Sequence, residues 1–203
     1  MSKRRSTFEH RCQRCFVNLN LCFCKDIESI STRTKVSFIM HVKELALTSN
    51  TAKVCTEALD NAQYFIRGSR SAKDFSKIYS PSLTHYQLYL YPTDDSLPLT
   101  NDLISNIDKP IELVVPDASW NQAKKFHQRE EVFKEMQKVH LINQKKSIYT
   151  LRTQKYDSGV CTLEAVAYAL EIIEGSDVKE HLLRILKVMN IQNLKARMRL
   201  KHE

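Results

Sequence analysis

The sequence predicts an α/β domain with a mainly parallel sheet and helices on both faces, preceded by a small cysteine knuckle. Three observations predict it. Short apolar runs alternate along the chain with segments of helical period, the pattern of strand–helix–strand units. One run, IELVV at 111–115, is nearly continuous in apolar character, as suits a strand buried on both faces. Four of the six cysteines crowd into CQRCFVNLNLCFC, residues 12–24. At 203 residues, 42% hydrophobic and 27% charged, the chain can bury one core of ordinary size. Only three glycines and five prolines argue against a loop-rich chain.

In chain order, the knuckle comes first. Cys12, Cys15, Cys22 and Cys24 are spaced C-x2-C, then six residues, then C-x-C. A reducing compartment disfavours disulfides, and four close thiolates suit tetrahedral Zn²⁺; an iron–sulfur cluster is the alternative metal. With every coordination position taken by protein, such a site is structural. Phe16 and Phe23 are placed to pack over it, and Arg11 and Arg14 to meet phosphates. Residues 1–30 form this segment, 31–203 the α/β domain, and 25–35 the linker.

VSFIM (36–40) reads as the first strand, and SNTAKVCTEAL (49–59) as a helix with Ser49 or Asn50 as its cap. QYFIR (63–67) reads as a short strand, YQLYLYP (86–92) as a strand closed by Pro92, and TNDLISNI (100–107) as a short helix. After IELVV, residues 119–136 read as one long helix with Ser119 and Gln122 at capping-box spacing. VHLIN (139–143) and IYTLR (148–152) read as strands. The helix at 162–175 carries Leu163, Val166, Ala167, Leu170 and Ile173 on one stripe, with Thr162 as cap and Gly175 as stop. A second helix begins near Asp177. Cys55 and Cys161 read as small core residues.

The formal net charge of +8 points to a polyanionic partner, though a merely basic protein has the same balance. The basic clusters are KRR at 3–5, Lys124-Lys125, Lys145-Lys146 and the tail 194–202, which equally suits a solvated helix end. No apolar run approaches the roughly 18 residues of a membrane span, and the basic start lacks an apolar core, so no membrane partner and a cytoplasmic location are expected.

Ligands of open α/β sheets bind beyond the carboxyl ends of the strands. Asp117 lies there, two residues past IELVV and just before a helix. Asp117 or Ser119 can equally be a plain helix cap. Pro116 restrains Val115 to an extended backbone. Trp120, the only tryptophan, suits either packing or stacking on a base.

The stretch PDASWNQAKKF (116–126) resembles the D-x-T-W signature of the DTW-domain family. CQRCFVNLNLCFC resembles its cysteine cluster. HVKELALTSNTAKV (41–54) resembles its H-x-x-E…S-N-T segment, and LRTQKYDSGVCTLEAVAYAL (151–170) its Leu-Arg…Thr-x-Glu-Ala segment. The four lie in the family's order. The chain departs from the pattern at Ser119, where the family has threonine, and at Pro116, where an aliphatic residue is usual.

The resemblance implies a SPOUT-like, trefoil-knotted α/β fold and a tRNA-uridine aminocarboxypropyltransferase. Its reaction moves the 3-amino-3-carboxypropyl group of S-adenosylmethionine to N3 of an unpaired uridine, giving acp3U and methylthioadenosine. N3 carries a proton, so Asp117 is the candidate group that either takes that proton or only orients N3–H. For the co-substrate, Pro116 and Leu151 line the adenine pocket, Arg152 forks onto the carboxylate, Thr162 and the helix start offer amides, and Glu164 meets the ammonium. His41, Glu44, Asn50 and Thr51 sit at another strand-to-helix exit, where they either form a helix cap with a surface ion pair or, with Trp120, Lys124 and Lys125, face the RNA, where phosphate contacts position rather than specify. The rival readings are a SPOUT-type RNA methyltransferase and a non-enzymatic, zinc-containing RNA-binding protein.

Overall fold

The computed structural model describes residues 10–68, 75–142, 146–151 and 159–199. The strands are β1 (Lys35–His41), β2 (Ala62–Arg67), β3 (Tyr86–Leu90), β4 (Leu97–Pro98), β5 (Ile111–Asp117) and β6 (Gln137–His140). The helices are α1 (Thr51–Ala58), α2 (Asn101–Ser105), α3 (Trp120–Arg129), α4 (Glu131–Lys134), α5 (Thr162–Glu174) and α6 (Ser176–Arg199). The strands form one sheet in the order β2-β1-β5-β3-β6-β4, and every pairing is parallel. No helix among the described residues is long and apolar enough to cross a membrane.

Strand alternation divides the core in two. Val36, Phe38, Met40, Leu113, Val115, Leu88 and Leu90 face α1, α5 and α6. Ile39, Val114, Tyr89 and Tyr91 face Phe126 of α3, Phe133 of α4, and Phe75 and Tyr79. Central strands covered on both sides are why IELVV needs so little polarity. Its one charge, Glu112, is fully buried and fully engaged: Ser37 Oγ donates at 2.6 Å, the Ser82 amide at 3.0 Å, and Lys35 Nζ lies 3.2 Å away.

Five details differ from the sequence reading. The helix expected over 119–136 breaks at Glu130, whose backbone is extended (φ −100°, ψ 112°). The break lets Phe133 stack on Tyr89, centroids 5.0 Å apart, while the Glu130 carboxylate pairs with Arg67. Residues 148–151 of the expected strand 148–152 pair with no strand; Arg152 and Lys145 lie outside the described residues. The two-residue β4 is too short to leave a period. The helix expected from 162 is α5, but its cap is Cys161, one residue before Thr162.

The fifth difference is the segment 25–35, expected as a linker. It is a packed strap: Ile27 is buried, Ile30 bridges to Leu59, and the Thr34 hydroxyl and amide both donate to Glu174 at 2.5 Å. Cys15, Val17, Leu21, Phe23 and Cys24 belong to the same core as α1 and α5. The cysteine segment is therefore continuous with the main core.

Candidate active site

From β1 the chain crosses through α1 to β2, and from β5 through α3 and α4 to β6, on opposite sides of the sheet. The carboxyl ends of β1 and β5 thus bound a topological switch point, the usual ligand crevice of such sheets. Met40 and Asp117 are register partners at that point.

Asp117 is the last residue of β5 and is 5% exposed. Alternation turns its side chain to the face of α1 and α5. Asn50 Nδ2 donates to Oδ2 at 2.9 Å, and Thr162 Oγ1 donates to Oδ1 at 2.7 Å. Asn50 is the cap of α1, accepting from Lys53 N at 2.7 Å, and Thr162 opens α5. The carboxylate therefore sits between two helix N-termini, where the peptide dipoles favour an anion. The N-cap of α3 is Ser119, not Asp117. The Ser119 amide and hydroxyl both donate to Gln122 Oε1, at 3.0 and 2.8 Å.

The shift of the α5 cap explains the Thr162 bond. Cys161 N donates to Glu164 Oε2 at 2.8 Å, so capping is done without the threonine and its hydroxyl is turned to Asp117. Thr51 Oγ1 adds a second tie, accepting from Leu163 N at 3.3 Å. Asn50 and Thr51, expected at an RNA surface, are each 4% exposed; they are inward partners of Asp117 and α5. Glu44 is buried as well, and its carbonyl accepts from Asn50 Nδ2 at 3.2 Å.

Glu164, expected to meet an ammonium, is fully buried. Besides Cys161 N it accepts from Ser147 Oγ at 2.6 Å and Ile148 N at 2.7 Å. Three donors on one carboxylate make it a clamp for the segment 146–151. Asn190 Nδ2 holds the other side through Ile148 O at 2.8 Å, and Tyr149 OH reaches Ser49 O at 2.5 Å. Leu151, expected in an adenine pocket, is buried in the core with Leu163. Pro116 is half-buried beside Asp117. None of the clamp residues except Glu164 carries a sequence signal, because their partners lie up to a hundred residues away.

On the other face, His41 ends β1. Its ring stacks near Phe126, centroids 6.0 Å apart, and Nδ1 accepts from Lys43 N at 3.2 Å. Burial, with Lys43 and Arg67 nearby, holds its pKa below the ordinary histidine value. Trp120 is 40% exposed and leans on Tyr91, centroids 6.3 Å apart. Lys124 and Lys125 are exposed on α3, whose buried residues are Ala123 and Phe126.

The four cysteines converge as expected. Their sulfurs all lie within 4.8 Å of one another, with Cys12–Cys24 at 3.6 Å and Cys15–Cys22 at 3.8 Å. A tetrahedron with metal–sulfur spokes of about 2.3 Å has edges of about 3.8 Å, so the donor set fits a metal ion such as zinc. The knuckle is docked on α1: Arg14 Nε donates to Glu57 at 3.0 Å, and Lys53 Nζ lies 3.6 Å from the ring centroid of Phe16. Phe16 takes a left-handed backbone, φ 58°, to make the turn after Cys15.

The architecture defines an open, parallel α/β protein with a buried carboxylate, Asp117, at its switch point. Comparison with known families then places it: the DTW domain model matches residues 9–194, and the chain belongs to the DTW-domain family. It is 26% identical over 186 residues to tRNA-uridine aminocarboxypropyltransferase 2 of Macaca fascicularis, covering 88% of this chain and 61% of that one. The Drosophila melanogaster protein of the same name is 26% identical, covering 89% of this chain and 73% of its own length. An Arabidopsis thaliana relative, tRNA-uridine aminocarboxypropyltransferase A, is 27% identical, covering 88% and 78%. This chain thus spans about three fifths of the macaque relative's length. Among solved structures, the SAM-dependent rRNA:acp-transferase Tsr3 from Vulcanisaeta distributa is similar in fold, with TM-score 0.50 and 21% identity over 82% of this chain and 81% of that one.

Proposed function

We propose that this protein modifies tRNA, transferring the 3-amino-3-carboxypropyl group of S-adenosylmethionine to N3 of an unpaired uridine. The observation that carries the reading is the Asp117 carboxylate, held by Asn50 and Thr162 at the switch point of a DTW-family chain. The relatives' names supply the transferred group and its acceptor, a tRNA uridine; N3 and the donor come from the family resemblance.

In this reading Asp117 is the catalytic carboxylate. It accepts the N3 proton as the bond from N3 to the γ-carbon forms and the γ-carbon–sulfur bond breaks, releasing methylthioadenosine. Asn50 and Thr162 fix the direction of its lone pairs, which is the positioning this chemistry needs. N3 lies on the Watson–Crick edge, so the uridine enters unpaired. Pro116 and the 159–162 backbone border the co-substrate, with Glu164 shaping that wall through residues 146–151; Arg152 is assigned to its carboxylate from the family resemblance alone. Trp120 and His41 border the RNA side, and Lys124 and Lys125 take phosphates. Cys12, Cys15, Cys22 and Cys24 hold one structural Zn²⁺ as thiolates, which supplies cross-linking of the knuckle and no reacting position. A knotted, SPOUT-like path belongs to the same proposal, as the family resemblance implies.

The test is mass spectrometry of nucleosides from tRNA incubated with the protein and S-adenosylmethionine. The expected product is uridine carrying one aminocarboxypropyl group, with methylthioadenosine in equal amount. A methylated nucleoside would instead establish the methyltransferase rival. Binding of tRNA without any product would establish the RNA-binding rival.

A further inference from the structure

Gln122 has so far served as the partner of a helix cap, but its side chain does more than capping requires. Its Oε1 accepts both the amide and the hydroxyl of Ser119. Its Nε2 lies over the His41 imidazole, 3.3 Å from Nδ1 and 3.4 Å from Nε2. One amide thus ties the turn between β5 and α3 to the end of β1. His41 in turn is confined on three sides. Phe126 stacks on it at 15°, Lys43 N donates to Nδ1, and Gly68 closes the remaining side, where a Cβ would stand 3.1 Å from Nε2. Gly68 has φ +89°, a backbone that few other residues adopt.

The turn so held is Asp117-Ala118-Ser119-Trp120. On the α1 and α5 face its aspartate is fixed by Asn50 and Thr162. On the opposite face Gln122 holds Ser119 through Oε1 and reaches the end of β1 through Nε2 and His41. We infer that Gln122 and His41 are a positioning pair that sets the orientation of this turn, and with it of Asp117 and Trp120, for the transfer reaction. The inference rests on the function proposed above for its catalytic part. Its geometric part stands without it.

The chain's single tryptophan lies on the turn, so its fluorescence reads the geometry independently of catalysis. Gln122→Met keeps the length and packing of the side chain and removes both polar ends. Gln122→Glu keeps the acceptor for Ser119 and a polar group toward His41. In Gln122→Met, acrylamide quenching and the emission maximum of Trp120 should change while far-UV circular dichroism is preserved. Turnover on tRNA should fall about 10–100-fold, the usual scale for a small misplacement of reacting groups. S-adenosylmethionine affinity should stay near the parent value. Gln122→Glu should recover the fluorescence and most of the turnover. Unchanged Trp120 quenching in Gln122→Met overturns the tie itself. Changed quenching with parental turnover overturns its role in positioning, as does a Gln122→Glu variant as impaired as Gln122→Met. If the parent protein makes no product at all, the proposed function fails while the quenching comparison still decides the tie.

Discussion

Replacing Asp117 by asparagine separates a buried carboxylate hub from a simple cap. A cap would tolerate the change, since asparagine caps a helix about as well as aspartate. In the structure Asp117 receives one bond from Asn50 and one from Thr162, at 2.9 and 2.7 Å. Asparagine can keep both contacts: its oxygen accepts from Asn50, and its NH₂ donates to a rotated Thr162 hydroxyl. What it loses is charge. Bonds to an ionised partner contribute about 1.5–3 kcal/mol and neutral ones about 0.5–1.5, so two of them weaken by about 2 kcal/mol in total. For a chain of this size that lowers Tm by about 4–8 °C. Asn50→Asp should be worse, because it sets two carboxylates face to face; at 4 Å and an effective dielectric of 20, their repulsion is about 4 kcal/mol. The double exchange, Asn50→Asp with Asp117→Asn, restores one carboxylate and one amide, so its Tm should rise above that of Asn50→Asp alone. Thermal melts of the three variants measure this. An Asp117→Asn protein that melts with the parent, or a double variant no better than the sum of the singles, refutes the hub. Turnover should fall about 10²–10⁴-fold in Asp117→Asn, and the double exchange should not restore it, because the carboxylate has moved.

Elemental analysis should find one zinc per chain, lost together with thermal stability when any of Cys12, Cys15, Cys22 or Cys24 becomes serine. Lys124→Ala with Lys125→Ala should flatten the salt dependence of tRNA binding by roughly 0.7–0.9 log units per log unit of salt for each phosphate contact removed. Acid unfolding should depend on Glu112. Burial alone would raise its pKa, but Ser37, the Ser82 amide and Lys35 together outweigh it and hold the pKa below its usual 4.5. A carboxyl depressed on folding gives stability that is present above the unfolded pKa and lost as pH falls through the lower folded one. Ser37→Ala removes one of those bonds, so the acid midpoint in a circular dichroism titration should move to higher pH.

The strands and helices were legible wherever a period ran long enough. IELVV, the α5 stripe and the C-x2-C…C-x-C spacing each carried their element because a single physical demand, burial or ligation, acts on every residue in them. The break at Glu130 was not legible, because nothing in 119–136 opposes a helix locally; the partner that stabilises the break, Arg67, lies 63 residues away. The place of Asp117 after a buried strand suited a helix cap as well as a ligand site, and its partners Asn50 and Thr162 were legible only as motif letters. Asn50 read as a cap and as an RNA contact; it is a cap whose free end faces Asp117. Glu164 read as a ligand for an ammonium, because a first-turn glutamate looks the same whether it meets a ligand or a neighbouring loop. Only the three donors from 147, 148 and 161 decide between them.

The Asp117 hub joins three stretches of chain that are far apart in order of synthesis. Asn50 precedes the aspartate by 67 residues and Thr162 follows it by 45. Contacts of such separation form late, since each requires a long loop to close first. A nascent chain that has not yet delivered Thr162 holds Asp117 with one of these two partners missing. During biosynthesis the knuckle and β1 can gather early, but the Asp117 hub is complete only with the arrival of α5.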